Sequence, residues 1–432
     1  MKTVNYFLVI SLTVLLSPIF TACSDEYPED IIIFTNTTIW DGASVSMQEN
    51  SALVTHQGRV LEVLDMNDPD FPEHGDIVDL NNHYIVPGLI NAHGHVGMAR
   101  GLETGPEVHS EENVREQLAL YARYGVTTVV SLGDEPQEAF TVRDQADFSS
   151  NGLARLFMSG PVLNPDSPDE AFEQVENLMR HNPDWTKIRV DDGLGTREKM
   201  PPEVYSAVID ASHNHDVPLA AHIVYLEDAK GIIENGGDLL AHSVRDEPVD
   251  SELINLMLER DICITPTLTR EVSVYIYENR PDFFDDPFFL AEADPDVIDQ
   301  LQQPDVQERY TGEAADYFRE ALPLAKENMM RMHNSGIRVA LGTDSGPPAR
   351  FQGYFEHMEM EMMQEAGMTP AEVLQSATRY AAECMQIDDE LGTLEEGKWA
   401  DFVVTEDNPF DDIRNLRTIR GVYIGANPVP GI

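Results

Sequence analysis

Six side chains scattered through this sequence carry most of its chemical information: His93, His95, Lys187, His222, His242 and Asp344. Each ends, or nearly ends, a short apolar run, which is where a parallel β-barrel collects its reactive groups. His93 and His95 stand two apart in Pro87-Gly88-Leu89-Ile90-Asn91-Ala92-His93-Gly94-His95. In a strand, that spacing sends both imidazoles to one side. His222 closes Leu219-Ala220-Ala221-His222, His242 closes Leu239-Leu240-Ala241-His242, and Asp344 follows Leu341-Gly342-Thr343. Taken alone, the His93/His95 pair reads equally as surface or core histidines, His222 and His242 each read more readily as core histidines than as ligands, and Asp344 reads as a helix N-cap. Imidazoles, a carboxylate and a lysine arriving from several strands suggest a divalent metal site that activates water.

Such convergence needs a scaffold, and the apolar runs predict one. Eight candidate strands alternate with helical stretches: Tyr84–Asn91, Thr127–Leu132, Leu156–Ser159, Lys187–Val190, Pro218–His222, Leu239–His242, Ile262–Pro266 and Arg338–Gly342. That alternation is the pattern of parallel βα units. The expected fold is α/β, a (β/α)8 TIM barrel over residues 84–388. A small β-sandwich formed by residues 31–83 and 389–432 is expected to bring the two ends together. His56-Gln57-Gly58-Arg59 reads as a hairpin turn within it. About forty residues rich in Asp, Pro and aromatics follow the seventh strand, where an insertion suggests a lid or binding loop. A helix is expected to resume near Gly312 and run to Asn334.

Composition narrows the partners. With 77 acidic against 28 basic residues, the formal charge is −49. Such a surface repels nucleic acid and anionic headgroups, so a nucleic-acid partner is not expected. Residues 1–22 read as an export signal: Lys2, an apolar stretch from Tyr6 to Phe20, then Thr21 and Ala22 before Cys23. The box Phe20-Thr21-Ala22-Cys23 resembles a lipoprotein signal, with Phe20 where Leu is usual. It implies lipidation at Cys23, residues 23–30 as a tether, and a membrane anchor facing the periplasm or cell exterior. Cleavage by an ordinary signal peptidase is the alternative. Cys263 and Cys384 sit in apolar or helical contexts and are expected as buried free thiols.

The run from Pro87 to His95, together with the return segment Gly392-Thr393-Leu394-Glu395-Glu396-Gly397-Lys398-Trp399-Ala400-Asp401, resembles the metal-dependent amidohydrolase superfamily. It is most similar to the branch holding imidazolonepropionase-like proteins and dipeptidases acting on Xaa-Pro. Asn91 stands where that family more often has Asp, a departure expected to matter little for the ligands. The resemblance implies that His93, His95 and Asp344 hold one metal and His222 and His242 a second, with a CO₂-carboxylated Lys187 bridging them. A single metal beside an unmodified lysine is the alternative. Zn²⁺ suits the donors, and Mn²⁺ or Fe²⁺ is compatible with them.

The resemblance implies hydrolysis of an amide C–N bond in a small molecule, a dipeptide or N-acyl amino acid, with Asp344 as general acid and base. Arg189, Arg270 and Tyr225 are candidate substrate contacts, with Arg100 and His109 as further ones. A cyclic amide or lactone hydrolase, or a deaminase, could use the same platform. A binding lipoprotein that has lost turnover is the non-enzymatic alternative. Homo-oligomerisation stays open.

Overall fold

The computed structural model describes residues 27–432. The expected signal peptide, Cys23 and the start of the tether lie outside the described residues. Four strands open the described chain: β1 (Ile31–Ile39), β2 (Gln48–His56), β3 (Arg59–Asp65) and β4 (Asp76–Pro87). β2 and β3 pair antiparallel around Gln57 and Gly58, both at positive φ, which matches the right-handed strand twist of a tight hairpin. Apart from a two-residue hairpin pair at Ala99–Arg100 and Glu103–Thr104, seven shorter strands follow: β5 (Leu89–Gly94), β6 (Val126–Ser131), β7 (Arg155–Met158), β8 (Thr186–Arg189), β9 (Leu219–His222), β10 (Leu239–Ala241) and β11 (Cys263–Thr265). The chain ends with β12 (Phe402–Thr405), β13 (Ile419–Ile424) and β14 (Asn427–Pro428).

The two ends do share one β-rich unit, but it is a single seven-stranded sheet, ordered β14-β13-β12-β4-β1-β2-β3, rather than a sandwich. The reason lies in β4. It pairs with β1 on one side and, antiparallel, with β12 on the other, so hydrogen bonding runs unbroken from the N-terminal strands to the C-terminal ones. Successive residues alternate between two apolar clusters. Ile33 and Val54 belong to one, Phe34, Leu53 and Phe402 to the other.

At Gly88 the chain leaves this sheet for β5, dividing what reads in sequence as one strand. A Cβ there would lie 2.0 Å from Thr127 Oγ1, so only glycine lets the two layers meet. β5-β6-β7 and β8-β9-β10-β11 form two parallel arcs with helices between their strands, a TIM-barrel-like α/β arrangement. Backbone hydrogen bonds link the arcs on both sides. Leu163 N donates to Lys187 O at 2.8 Å. On the other side, residues 338–345 bond to β11 (Ala340 N to Ile264 O, 2.9 Å) and to β5 (Ala92 N to Leu341 O, 2.8 Å).

This last segment is the eighth strand of the sequence reading, and it forms isolated bridges rather than a regular strand. Gly342 packs so tightly that a Cβ would come within 2.9 Å of the Cβ atoms of both His93 and Thr265. Two residues later, Asp344 takes a left-handed backbone, φ 57°.

The insertion after β11 is not a loose lid. Tyr277, Phe284 and Phe289 pack with Tyr124, Tyr354 and Phe355 in a satellite core. That burial holds the insertion against the helices Glu111–Arg123 and Tyr354–Ala366. The helix expected after it runs Glu313–Asn334.

The cysteines also depart from expectation, since Cys263 and Cys384 are disulfide-bonded. They join the first residue of β11 to the last of the helix Arg379–Cys384, within an apolar layer that includes Ile90, Trp185, Leu239 and Ala340. With a sequence separation of 121 between them, the bond closes a large loop; in the chain-entropy account that contributes about 4–5 kcal/mol. Each cysteine looks like an ordinary apolar residue in its own neighbourhood, so the pairing is visible only in three dimensions.

Candidate metal centre and substrate cavity

His93, His95, His222 and His242 lie at or just beyond the C-terminal ends of their strands, Lys187 lies within β8, and Asp344 follows the bridged segment. All six line one cavity of about 200 Å³. All are buried. Ligand atoms of His93, His95 and Asp344 fall within 4.8 Å of one another. His95 Nε2 stands 2.6 Å from Asp344 Oδ1, and His93 Nε2 is 3.9 Å from the same oxygen. Lys187 Nζ approaches His93 Nε2 at 3.5 Å. His242 continues the circle, its ring centroid 4.7 Å from that of His93 and 4.1 Å from that of His222.

Second partners fix three of the imidazoles. His95 Nδ1 donates to the Gly133 carbonyl at 2.8 Å. His242 Nδ1 meets Thr267 Oγ1 at 2.7 Å, and His222 Nε2 lies 3.0 Å from Asp191 Oδ2. Holding one ring nitrogen in this way orients the other and raises its basicity, as metal sites require. Burial, reinforced by positive neighbours, lowers the His93 and His242 pKa well below the ordinary value. Burial likewise brings His222 down to about 3. These imidazoles are therefore neutral, with lone pairs available to a cation. The donor set fits a divalent metal.

The backbone is strained where it delivers these groups. His242, Thr267 and Asp344 all have positive φ, at 75°, 50° and 57°. For residues with a Cβ this costs about 1–3 kcal/mol each and persists only where the surroundings impose it.

A buried network imposes it around Asp344. Asn91 Nδ2 donates to Glu356 Oε1 (2.6 Å) and Thr343 Oγ1 (3.0 Å), while Asn91 Oδ1 accepts from His93 N (3.0 Å). Glu356 also accepts from the hydroxyls of Thr343 and Ser345. Asn91 thus ties the β5 ligands to the segment carrying Asp344, a larger role than the sequence reading gives it. Asn91→Asp replaces this donor with an acceptor facing a carboxylate. It is expected to cost about 1–3 kcal/mol at neutral pH. The loss should shrink towards pH 5, where a proton shared by the two carboxyls restores the bond; denaturant midpoints at the two pH values check this.

Two of the three main substrate candidates, Arg189 and Arg270, line the cavity. Tyr225 does not. Its hydroxyl donates to Asp192 at 2.6 Å, and its ring lies under Lys199 Nζ. Arg100 is turned to Glu116, and neither it nor His109 is among the lining residues.

Sequence reasoning missed Arg350. Its Nη1 donates to Asp344 Oδ2 at 2.5 Å, and the side chain reaches the cavity. The signal available was its place in the loop beyond the eighth strand, at the mouth where such barrels carry function. Burial works against charge on Asp344, yet Arg350 and His95 hold its carboxyl well below the usual carboxylate range.

Comparison with known proteins agrees with this geometry. A solved Xaa-Pro dipeptidase with bound methionine in its active site superposes with a TM-score of 0.75 at 22% identity, covering 92% of this chain and 99% of that one. The imidazolonepropionase of Photorhabdus laumondii is 24% identical over 377 residues, 80% of this chain and 84% of the relative. The 5-methylthioadenosine/S-adenosylhomocysteine deaminase of Halalkalibacterium halodurans is 21% identical over 374 residues, covering 78% and 76%. Residues 84–429 match the amidohydrolase family as a whole, which takes in every donor described above, so this chain belongs to that family of metal-dependent hydrolytic enzymes.

Proposed function

We propose that this protein is an exported, lipid-anchored amidohydrolase that cleaves the amide C–N bond of a dipeptide or an N-acyl amino acid. The observation that carries this reading is the meeting of the six donors with Arg189 and Arg270 in one small cavity. His93, His95 and Asp344 would hold one Zn²⁺, His222 and His242 a second, with a carboxylated Lys187 between them; Mn²⁺ or Fe²⁺ suits the same donors. A bound divalent ion supplies an acidified water and polarises the scissile carbonyl.

The remaining chemistry belongs to the chain. Asp344, facing the cavity between His95 and Arg350, takes the proton released as water attacks and delivers it to the departing nitrogen. Arg189 and Arg270 hold the substrate carboxylate, for which a guanidinium fork is the matched partner. Cavity size favours a small substrate.

The Cys263–Cys384 disulfide supports export, since such bonds persist in oxidising compartments. Cys23→Ser is expected to move the protein from the membrane to the soluble fraction. An unchanged membrane fraction would end the lipoprotein reading.

Metal-replete protein assayed against dipeptides, N-acyl amino acids, lactones and aminopurines tests the reaction class. Release of an amine and a carboxylic acid from the first two groups is the expected result. Turnover confined to lactones or aminopurines would replace it with the cyclic-substrate or deaminase alternative, and binding without turnover would favour the binding lipoprotein.

A further inference from the structure

A second cavity, of about 220 Å³, adjoins the first and shares Arg189, His222 and Arg270 with it. Arg197 and Arg245 add charge to its walls, and Phe318 provides an apolar side. Four guanidiniums in so small a space stand out in a chain with 28 basic residues against 77 acidic ones.

Neighbouring carboxylates do not cancel them. Asp191, in the wall, lies 3.9 Å from Arg189 Nε and is drawn also to His222. Glu271, fully buried, stands 3.2 Å from both Arg245 and Arg270. Asp344 Oδ2 also stands 3.9 Å from Arg270 Nε, but it is shared with Arg350. Three acids against five guanidiniums still leave positive charge in excess, before any divalent cation is counted.

Arg245 carries the strongest sign of a missing ligand. It is 2% exposed, and its Nη1 donates to the carbonyls of Ile223 and Ser243. Among the described residues its Nη2 has no hydrogen-bond partner, and neither does the buried Nε of Arg189. Unpaired buried donors of this kind are costly, and an anion that accepts from them removes the cost. The Phe318 ring lies 4.4 Å from the Arg270 guanidinium and 5.7 Å from that of Arg245, which fixes both planes before a ligand arrives.

The geometry points to a substrate with two carboxylates: the α-carboxylate held by the shared Arg189 and Arg270, and a side-chain carboxylate in the basic chamber with Arg245 and Arg197. N-acyl or aminoacyl derivatives of aspartate and glutamate have this form. The inference rests on the amide-hydrolase reading above for the reaction, but the chamber's affinity for an anion can be measured separately.

Metal-loaded protein is assayed with N-acetylglutamate against N-acetylglutamine, which has the same shape without the charge. Glutarate and butyrate are titrated in parallel by calorimetry. The acid is expected to exceed the amide in kcat/KM by about 10–100-fold, with glutarate binding more tightly than butyrate. Arg245→Met and Arg197→Met should each pull the acid-to-amide ratio towards one. Arg197 is exposed at the rim, so its replacement tests the chamber without a folding risk. Equal kcat/KM for acid and amide overturns the inference and leaves amide hydrolysis standing, as does a ratio that neither variant changes. A glutarate preference lost in Arg197→Met, with no amide turned over, upholds the chamber and removes the hydrolase reading.

Discussion

Asp344→Asn is expected to leave metal in the site while turnover falls by about 10³-fold, within the range that a positioned acid or base contributes. Asparagine keeps the volume of the side chain and one oxygen to face His95, but it cannot carry a proton between water and a leaving nitrogen. The surrounding ion pairs make the test demanding. Arg350 donates to Asp344 Oδ2 at 2.5 Å, and Arg270 Nε stands 3.9 Å from the same oxygen. Removing the charge leaves a guanidinium short of its partner, which at a buried site costs about 3–5 kcal/mol. Thermal midpoint and metal content must therefore be read beside kcat. Loss of turnover with both retained supports the proton-transfer role, whereas unchanged turnover excludes it. If the metal is lost as well, Asp344 acts first as a ligand, and Asp344→Glu, which keeps the charge, should restore occupancy before it restores rate.

How far the sequence reveals this site depends on the kind of signal each residue carries. His93 and His95 are legible because a two-residue spacing at the end of an apolar run has one geometric meaning in a strand. His222, His242 and Lys187 follow from the same logic, each placed by a short β-rich run whose boundaries differ from the observed strand by a residue or two. Asp344 is legible in position but not in conformation. Its segment makes bridges to both neighbours without the regularity of a strand, because Gly342 and the left-handed turn at Asp344 answer to packing rather than to local pattern.

Features that depend on residues distant in sequence are the ones it hides. The Cys263–Cys384 bond, the Asn91–Glu356 contact and the Arg350–Asp344 pair join elements whose own neighbourhoods give no hint of a partner. The aromatic insertion shows the same limit. Its composition suggests a surface for a ligand, yet Phe284 and Phe289 are buried against the helix that begins at Tyr354. A run of aromatics reports burial, while the surface they bury against is a property of the fold.

Lys187 supports the second large prediction. An ammonium cannot bind a cation, so Lys187 contributes to the centre only after its chemistry changes. The carbamate proposed above needs the free amine, and the surroundings of Lys187 bear on that form. The side chain is 3% exposed, and burial brings its pKa from the ordinary 10.5 down to about 7, even with Asp344 and Glu135 nearby to oppose the shift. The free amine is the form that attacks CO₂: an N–C bond forms, a proton leaves to solvent, and the carbamate carries the negative charge. That form predominates above pH 7 and is lost as the pH falls through the pKa, whereas a lysine at 10.5 would be almost wholly ammonium at neutral pH.

Reconstitution of metal-free protein should therefore require bicarbonate as well as metal and should fail progressively below about pH 7, with label from isotopically marked bicarbonate appearing on Lys187. Lys187→Met keeps an apolar stem of similar length but cannot form the carbamate. It is expected to halve the bound metal and to lower kcat by about 10³-fold, ~4 kcal/mol of barrier. Full metal content and activity in Lys187→Met would show that the histidines and Asp344 suffice without a carbamate. In that case the lysine, buried beside His93 Nε2 at 3.5 Å, acts as a neutral hydrogen-bonding group and not as a bridge.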